Sequence, residues 1–217
     1  VGIIVKSKRP EDEREPIPPG NYFGVIISLY DIGTQDGQYG KKRQIVTITE
    51  LHKKRGPAVD SKGRIHTIPT FYSLTFGAMN GKKSKLRSDV ETITGRVFTD
   101  EEAERDGYDV QDLIGKAYRL TLVENVKADG KKFAKVSSVM ALDEDDPRPE
   151  SQADEVYYEI DPREPIPSAV PKWIAKYIER SEEWVGVHGK PRDDGTNSSA
   201  PSLPPPGAVD QNDEPAY

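Results

Sequence analysis

Residues 81–95 read GKKSKLRSDVETITG, and here the hydrophobic period of the chain changes. Leu86, Val90 and Ile93 recur at spacings of four and three, the spacing of one helix face. Before this point the pattern is that of strands. NYFGVIISLYDIG at 21–33 is rich in β-branched and aromatic residues and closes on Gly33. RQIVTITEL at 43–51 and IHTIPTFYSLTF at 65–76 follow, with Pro69 marking an edge or a break in the third run. After the helix, Thr99 and Glu102 have the spacing of a capping box, which predicts a short helix over 99–106, and DVQDLIG at 109–115 reads as one more turn. Strand pattern then returns in KAYRLTLVENV at 116–126 and KKFAKVSSVMAL at 131–142, joined through Ala128-Asp129-Gly130, a D-G hairpin signal.

The order is β-β-β-α-β-β. A mainly β fold with its helix between strands 3 and 4 is the sequence-level mark of a five-stranded OB-type Greek-key barrel, predicted here over 20–142. Residues 1–19 are charged and Pro-rich and read as an extended lead-in, and 143–169 begin with DEDDPRPESQADE, an acidic linker that also holds a short extended piece, VYYEI at 156–160. Val170, Trp173, Ile174, Tyr177, Ile178 and Val185 lie at helical spacings, so 170–185 is predicted as one amphipathic helix started at Pro171 and packed on the barrel. Residues 186–217 are Gly, Pro, Ser, Asn and Asp, the composition of a disordered acidic tail.

Net charge is −6 overall but unevenly placed. Residues 20–140 hold 20 Lys+Arg against 15 Asp+Glu, whereas 141–217 hold 7 against 18. Local charge governs steering, so a basic body remains open to a polyanionic partner. With no cysteine, disulfides and thiolate metal sites are excluded, and a reducing, cytoplasmic compartment is expected. No run of about 18 apolar residues suggests a membrane span. His52, His66 and His188 lie far apart, without metal-ligand spacing, and neither a phosphate-binding glycine loop nor a G-x-S-x-G elbow is present. A non-enzymatic protein without cofactor or metal is expected.

An OB-type barrel takes its ligand across strands 2 and 3, between the 1–2 and 4–5 loops. Those loops carry Tyr39, Lys41, Lys42 and Arg43 on one side and Lys131 and Lys132 on the other, and the 2–3 loop adds Lys53, Lys54 and Arg55. Single-stranded nucleic acid needs cations along its phosphates and exposed aromatics on which bases stack. Strand alternation turns Tyr72, Leu74 and Phe76 inward and leaves Phe71 outside. It likewise turns Tyr118, Leu120 and Leu122 inward with Arg119 outside, and Ala134, Val136 and Met140 inward with Phe133 and Lys135 outside. Tyr30 falls opposite Phe23, Val25, Ile27 and Leu29. The stacking candidates are therefore Tyr30, Tyr39, Phe71 and Phe133. The tail ends DQNDEPAY, in which Asp210, Asp213, Glu214, Pro215 and Tyr217 resemble the acidic tip by which bacterial single-stranded DNA-binding proteins recruit partners, and the resemblance implies recruitment of replication or recombination proteins.

From Gly20 to Trp184 the chain resembles a family of bacteriophage-encoded single-stranded DNA-binding proteins with an OB-fold. The resemblance is carried by Pro19-Gly20-Asn21-Tyr22, Ile32-Gly33-Thr34-Gln35, Phe98-Thr99-Asp100-Glu101-Glu102, Leu113-Ile114-Gly115-Lys116, Val170-Pro171-Lys172-Trp173-Ile174 and Ser181-Glu182-Glu183. It implies sequence-tolerant binding of single-stranded DNA in phage replication or recombination. One departure is Thr49-Glu50, where the family often has Trp-Glu. The rival expectation is an OB-like protein-interaction adaptor that does not touch DNA. It is favoured if the loop lysines scatter rather than converge.

Overall fold

The computed structural model describes residues 15–37, 40–79, 82–126, 130 and 132–189. Its strands are β1 (Gly20–Gly37), β2 (Gly40–Lys53), β3 (Gly56–Pro57), β4 (Thr67–Ser73), β5 (Ala78–Met79), β6 (Lys82–Lys83), β7 (Ala117–Val126), β8 (Lys132–Met140) and β9 (Val156–Tyr158). Helices α1 (Lys85–Thr94) and α2 (Asp100–Arg105) lie between β6 and β7, and α3 (Lys172–Ile178) and α4 (Glu182–His188) follow β9. Seven strands form one sheet in the order β3-β2-β1-β7-β8, with β4 on β2 and β9 on β1; β5 and β6 pair separately. All ladders are antiparallel except β9 on β1. The fold is mainly β.

The helix that breaks the strand pattern forms where its caps say. The Ser84 side chain accepts from the Arg87 amide, and Gly95 ends α1 in the left-handed conformation, so Leu86 and Val90 are buried and Ile93 packs beside them. The Thr99–Glu102 capping box is present in both directions and starts α2. The predicted turn at 109–115 is a 3-10 helix over Val110–Leu113. Helix α1 lies against both β4 and β8, the outer strands of the ladder path, although no ladder joins those two strands among the described residues.

Strand β1 serves two successive neighbours along the edge opposite β2. Register shifts between Ile26 and Ser28 and between Asp31 and Gly33 let its first half pair with β7 and its second half with β9. The result is two apolar clusters, one on each side of the sheet. Inside lie Tyr22, Ile26, Leu29, Ile45, Leu51, Tyr72, Tyr118, Leu120 and Leu122 with α1 and Phe98. Outside, Ile27, Tyr30, Ile32, Val46 and Ile48 are covered by Ile160, Val170, Ile174, Tyr177 and Ile178.

Four expectations need correction. Leu74 is exposed, because β4 ends at Ser73 and the alternation ends with it. In β8, Val139 rather than Met140 packs inward with Ala134 and Val136, because the register slips between Thr121 and Leu122 and Ser137 becomes the unpaired residue. The single helix over 170–185 is two helices. Ser181, fully buried, donates to the Ile178 carbonyl and accepts from the Trp184 amide, ending one helix and capping the next. Pro171 is the cap of α3 and not its first helical residue.

Candidate nucleic-acid interface

An OB-type ligand is expected across β2 and β4, and the chain itself covers the outer face of these strands and of β1. Phe23, Val25, Ile27 and Tyr30 on β1 and Val46, Ile48, Glu50 and His52 on β2 are all buried. Gln152 donates its backbone N–H to Glu50, β9 pairs with Ser28–Tyr30, and α3 closes over Tyr30, Val46 and Ile48. The segment read as a linker therefore contributes a strand and a buried contact. Within this cover His52 Nε2 and Glu50 Oε1 stand 2.8 Å apart, a charged pair when the imidazole is protonated.

The cover is held at its far end by polar bonds. Glu183 accepts from the Thr34 amide and the Thr34 hydroxyl, each at 2.7 Å. Gln35 Nε2 donates to the Ile32 and Tyr177 carbonyls, at 2.6 and 3.0 Å, which supplies a partner at the C-terminal end of α3. Gly33 sits at φ +69°, and a Cβ there would stand 2.6 Å from a Glu183 oxygen and 2.7 Å from Ser181, so both backbone and space require glycine. Burial pushes the Glu183 carboxyl up, but the two Thr34 bonds and nearby Arg43 outweigh it and hold the group below its ordinary value.

This arrangement relocates several expected ligand groups. Tyr30 is only 3% exposed, under the C-terminal cover, and presents no face for stacking. Phe71 points outward as expected, but meets the rings of Tyr177 at 5.5 Å and Trp173 at 6.3 Å. Lys41 is 3.1 Å from Glu182, Arg43 is bound to Asp31, and Arg119 meets Asp143 at 2.7 Å and Asp146 at 3.3 Å. Lys132 pairs with Glu124 at 2.9 Å across the β7–β8 hairpin. Lys53 lies over the Tyr22 ring at 3.4 Å and donates to the Asn21 carbonyl; burial pulls its ammonium below the ordinary value. Lys54, Arg55 and Lys135 are exposed, Lys42 and Phe133 half-buried. Tyr39, Lys131 and the tip residues Asp210, Asp213, Glu214, Pro215 and Tyr217 lie outside the described residues.

The cations do not form one patch. Lys41, Lys42 and Arg43 begin β2 and Lys53 ends it, roughly 40 Å apart along an extended strand. The second group has company. Gly20 pairs with Leu122, so Val123–Val126 of β7 project beyond the start of β1, and Phe23 pairs with His52, so Lys53, Lys54 and Arg55 emerge at the same end. On that projecting hairpin Val123 faces Lys135 and Asn125 faces Phe133.

Thr49 points to the inner face of the sheet, away from the C-terminal cover. It is fully buried and shares a 2.8 Å hydrogen bond with the Tyr118 hydroxyl, whose pKa burial raises to about 12. Position 49 is thus an interior position in this chain, and an aromatic there would not meet a ligand on the outer face.

Sequence reasoning passed over Trp173 by counting it in the buried stripe. It is 38% exposed, with exposed Lys172 and Lys176 beside it and exposed Arg180 following in the turn after α3. Their spacing of four residues was the available signal.

No family model matches this chain, and no curated protein matches it. Among the described residues, no group of three or more His, Cys, Asp or Glu is placed to hold a metal ion, and no helix is long and apolar enough to cross a membrane.

Proposed function

We propose that this chain is an OB-type, non-enzymatic binder of single-stranded DNA, acting in the replication or recombination of a bacteriophage. Support for the barrel comes from the path β4-β2-β1-β7-β8, the register shifts along β1, and α1 between β4 and β7. The observation that carries the function is the end of the sheet where the β7–β8 hairpin projects beside Lys54 and Arg55. There a half-buried aromatic, Phe133, and an exposed cation, Lys135, lie on one face of the projecting arm, the pair of side-chain types that stacking and phosphate tracking use.

The test is fluorescence anisotropy of labelled oligo-dT at two salt concentrations, with duplex of equal length as control. Salt-sensitive binding to the single strand, weakened about 5- to 100-fold in Phe133→Ala/Lys135→Ala, supports the reading. Equal affinity for duplex, or no binding at low salt, overturns it.

One observation favours the adaptor reading. The loop cations scatter to opposite ends of β2, and Lys41, Arg43, Arg119 and Lys132 are neutralised by carboxylates of this same chain. Failure to bind oligo-dT would leave that reading standing.

A further inference from the structure

The C-terminal cover hides the sheet, yet it offers a surface of its own. Helix α3 buries Ile174, Tyr177 and Ile178 and turns Lys172, Trp173 and Lys176 to solvent. Trp173 is not loose. Its ring is 6.3 Å from Phe71 and 6.3 Å from Tyr177, the latter edge-on at 88°, and these two rings themselves pack at 5.5 Å. Two supporting rings hold the indole in place while 38% of the residue stays exposed. A large apolar side chain fixed in this way has met its ordering cost before any ligand arrives.

The exposed charges of α3 are of one sign. Lys172 and Lys176 stand about 6 Å apart along the helix axis, Arg180 follows, and none of the three forms an ion pair among the described residues. The only acid in 172–180 is Glu179, half-buried. Lys41 and Arg43, by contrast, have carboxylate partners.

We infer that Trp173, with Lys172, Lys176 and Arg180, is a second contact site for single-stranded nucleic acid: the indole stacks a base and the cations take the neighbouring phosphates. The inference rests on the function proposed above and adds a site to it. An indole is a sequence-tolerant platform because every base has a π-face, and unpaired cations engage phosphates without first giving up a carboxylate. The apolar cover thus replaces a sheet surface that bases could have used by a helix surface with the same two ingredients.

Anisotropy with oligo-dT tests it on the full chain, comparing wild type, Trp173→Ala, Lys172→Ala/Lys176→Ala and Phe133→Ala/Lys135→Ala. Loss of about 5- to 100-fold in Trp173→Ala is expected, and a salt slope shallower by about 1.4 in the double-lysine variant. A second readout uses Trp184→Phe, which leaves Trp173 as the sole tryptophan: oligo-dT should quench its fluorescence and an abasic oligomer of equal length should not. Where Trp173→Ala fails to fold, the lysine variant and the quenching decide. Wild-type binding that both α3 variants retain, without quenching, overturns the site while leaving the proposed function intact. Quenching by the abasic oligomer as well overturns the stacking role. Absence of any wild-type binding overturns both.

Discussion

Replacing Ile174 by alanine asks whether the C-terminal segment is part of the folded body. Ile174 is fully buried among residues of β1, β2 and its own helix, in the cluster that includes Ile27, Tyr30, Val46 and Ile48. Truncating such a residue removes its transfer free energy and leaves a cavity, about 2–5 kcal/mol together. Helix α3 has seven residues and cannot persist alone, so its helicity depends on this docking. If cover and sheet unfold together, a loss of about 3 kcal/mol lowers Tm by roughly 6–12 °C in a chain of this size. If the cover opens by itself, Tm holds while exchange of the α3 amides accelerates about a hundredfold. Circular dichroism melting and hydrogen exchange of the same variant separate these outcomes, with Leu120→Ala in the interior cluster as a control for global destabilisation. A Tm within about 2 °C of wild type together with unchanged exchange in 172–178 refutes the docking of α3 on the sheet.

Three further outcomes follow from single contacts. Because the Thr34 bonds and Arg43 hold Glu183 below its ordinary value, the carboxylate stabilises the fold above the usual carboxylate range, and this is lost as pH falls through the lowered value. The Tm difference between wild type and Glu183→Gln should therefore shrink between about pH 7 and pH 3; a constant difference contradicts the clamp. Gly24→Ala puts a Cβ 2.6 Å from Thr49 Cγ2 and 2.9 Å from Leu120 Cδ2, and should cost about 1–3 kcal/mol in urea unfolding. Thr49→Ser in that background removes the nearer methyl and should recover part of the loss, and no recovery counts against this packing. Arg87, 1% exposed, binds Glu91, Asp100 and the Phe98 carbonyl, so Arg87→Met should destabilise by about 3–5 kcal/mol, and a loss under about 1 kcal/mol in chemical denaturation would contradict its role.

What could be read from the sequence was what local chemistry writes. Ser84, Gly95 and the Thr99–Glu102 box mark helix ends because capping is settled within four residues. The strands were found for the same reason, since alternation is a property of neighbours. Alternation failed where a bulge shifted its phase: Ser137 carries no signature of being unpaired, yet it moves Val139 inward in place of Met140. The burial of Tyr30 was not legible either, because the residues above it, Ile174 and Tyr177, lie more than 140 positions away. Helical spacing shows which residues share a face but not how deep that face sits, and Trp173 was assigned to the core on that ground.

The cover also sorts the cations, and this bounds what salt can do. A phosphate meeting Lys41 or Arg43 must displace Glu182 or Asp31, so those sites exchange one ion pair for another and add little to counterion release. Lys54, Arg55 and Lys135 at the projecting hairpin and Lys172, Lys176 and Arg180 on α3 have no such partner among the described residues. At about −0.7 per phosphate neutralised, engagement of the hairpin end alone gives a slope of log Kobs on log salt near −2, and of both surfaces near −4. Gly20, beside the hairpin, and Tyr30, under α3, are roughly 30 Å apart along β1 if the strand is counted as extended. The slope for oligo-dT should therefore steepen with length, from about −2 for an oligomer too short to reach both surfaces to about −4 for one that spans them. A slope that stays near −2 at every length assigns the phosphates to one surface, and one beyond about −6 shows that the paired cations release their carboxylates on binding.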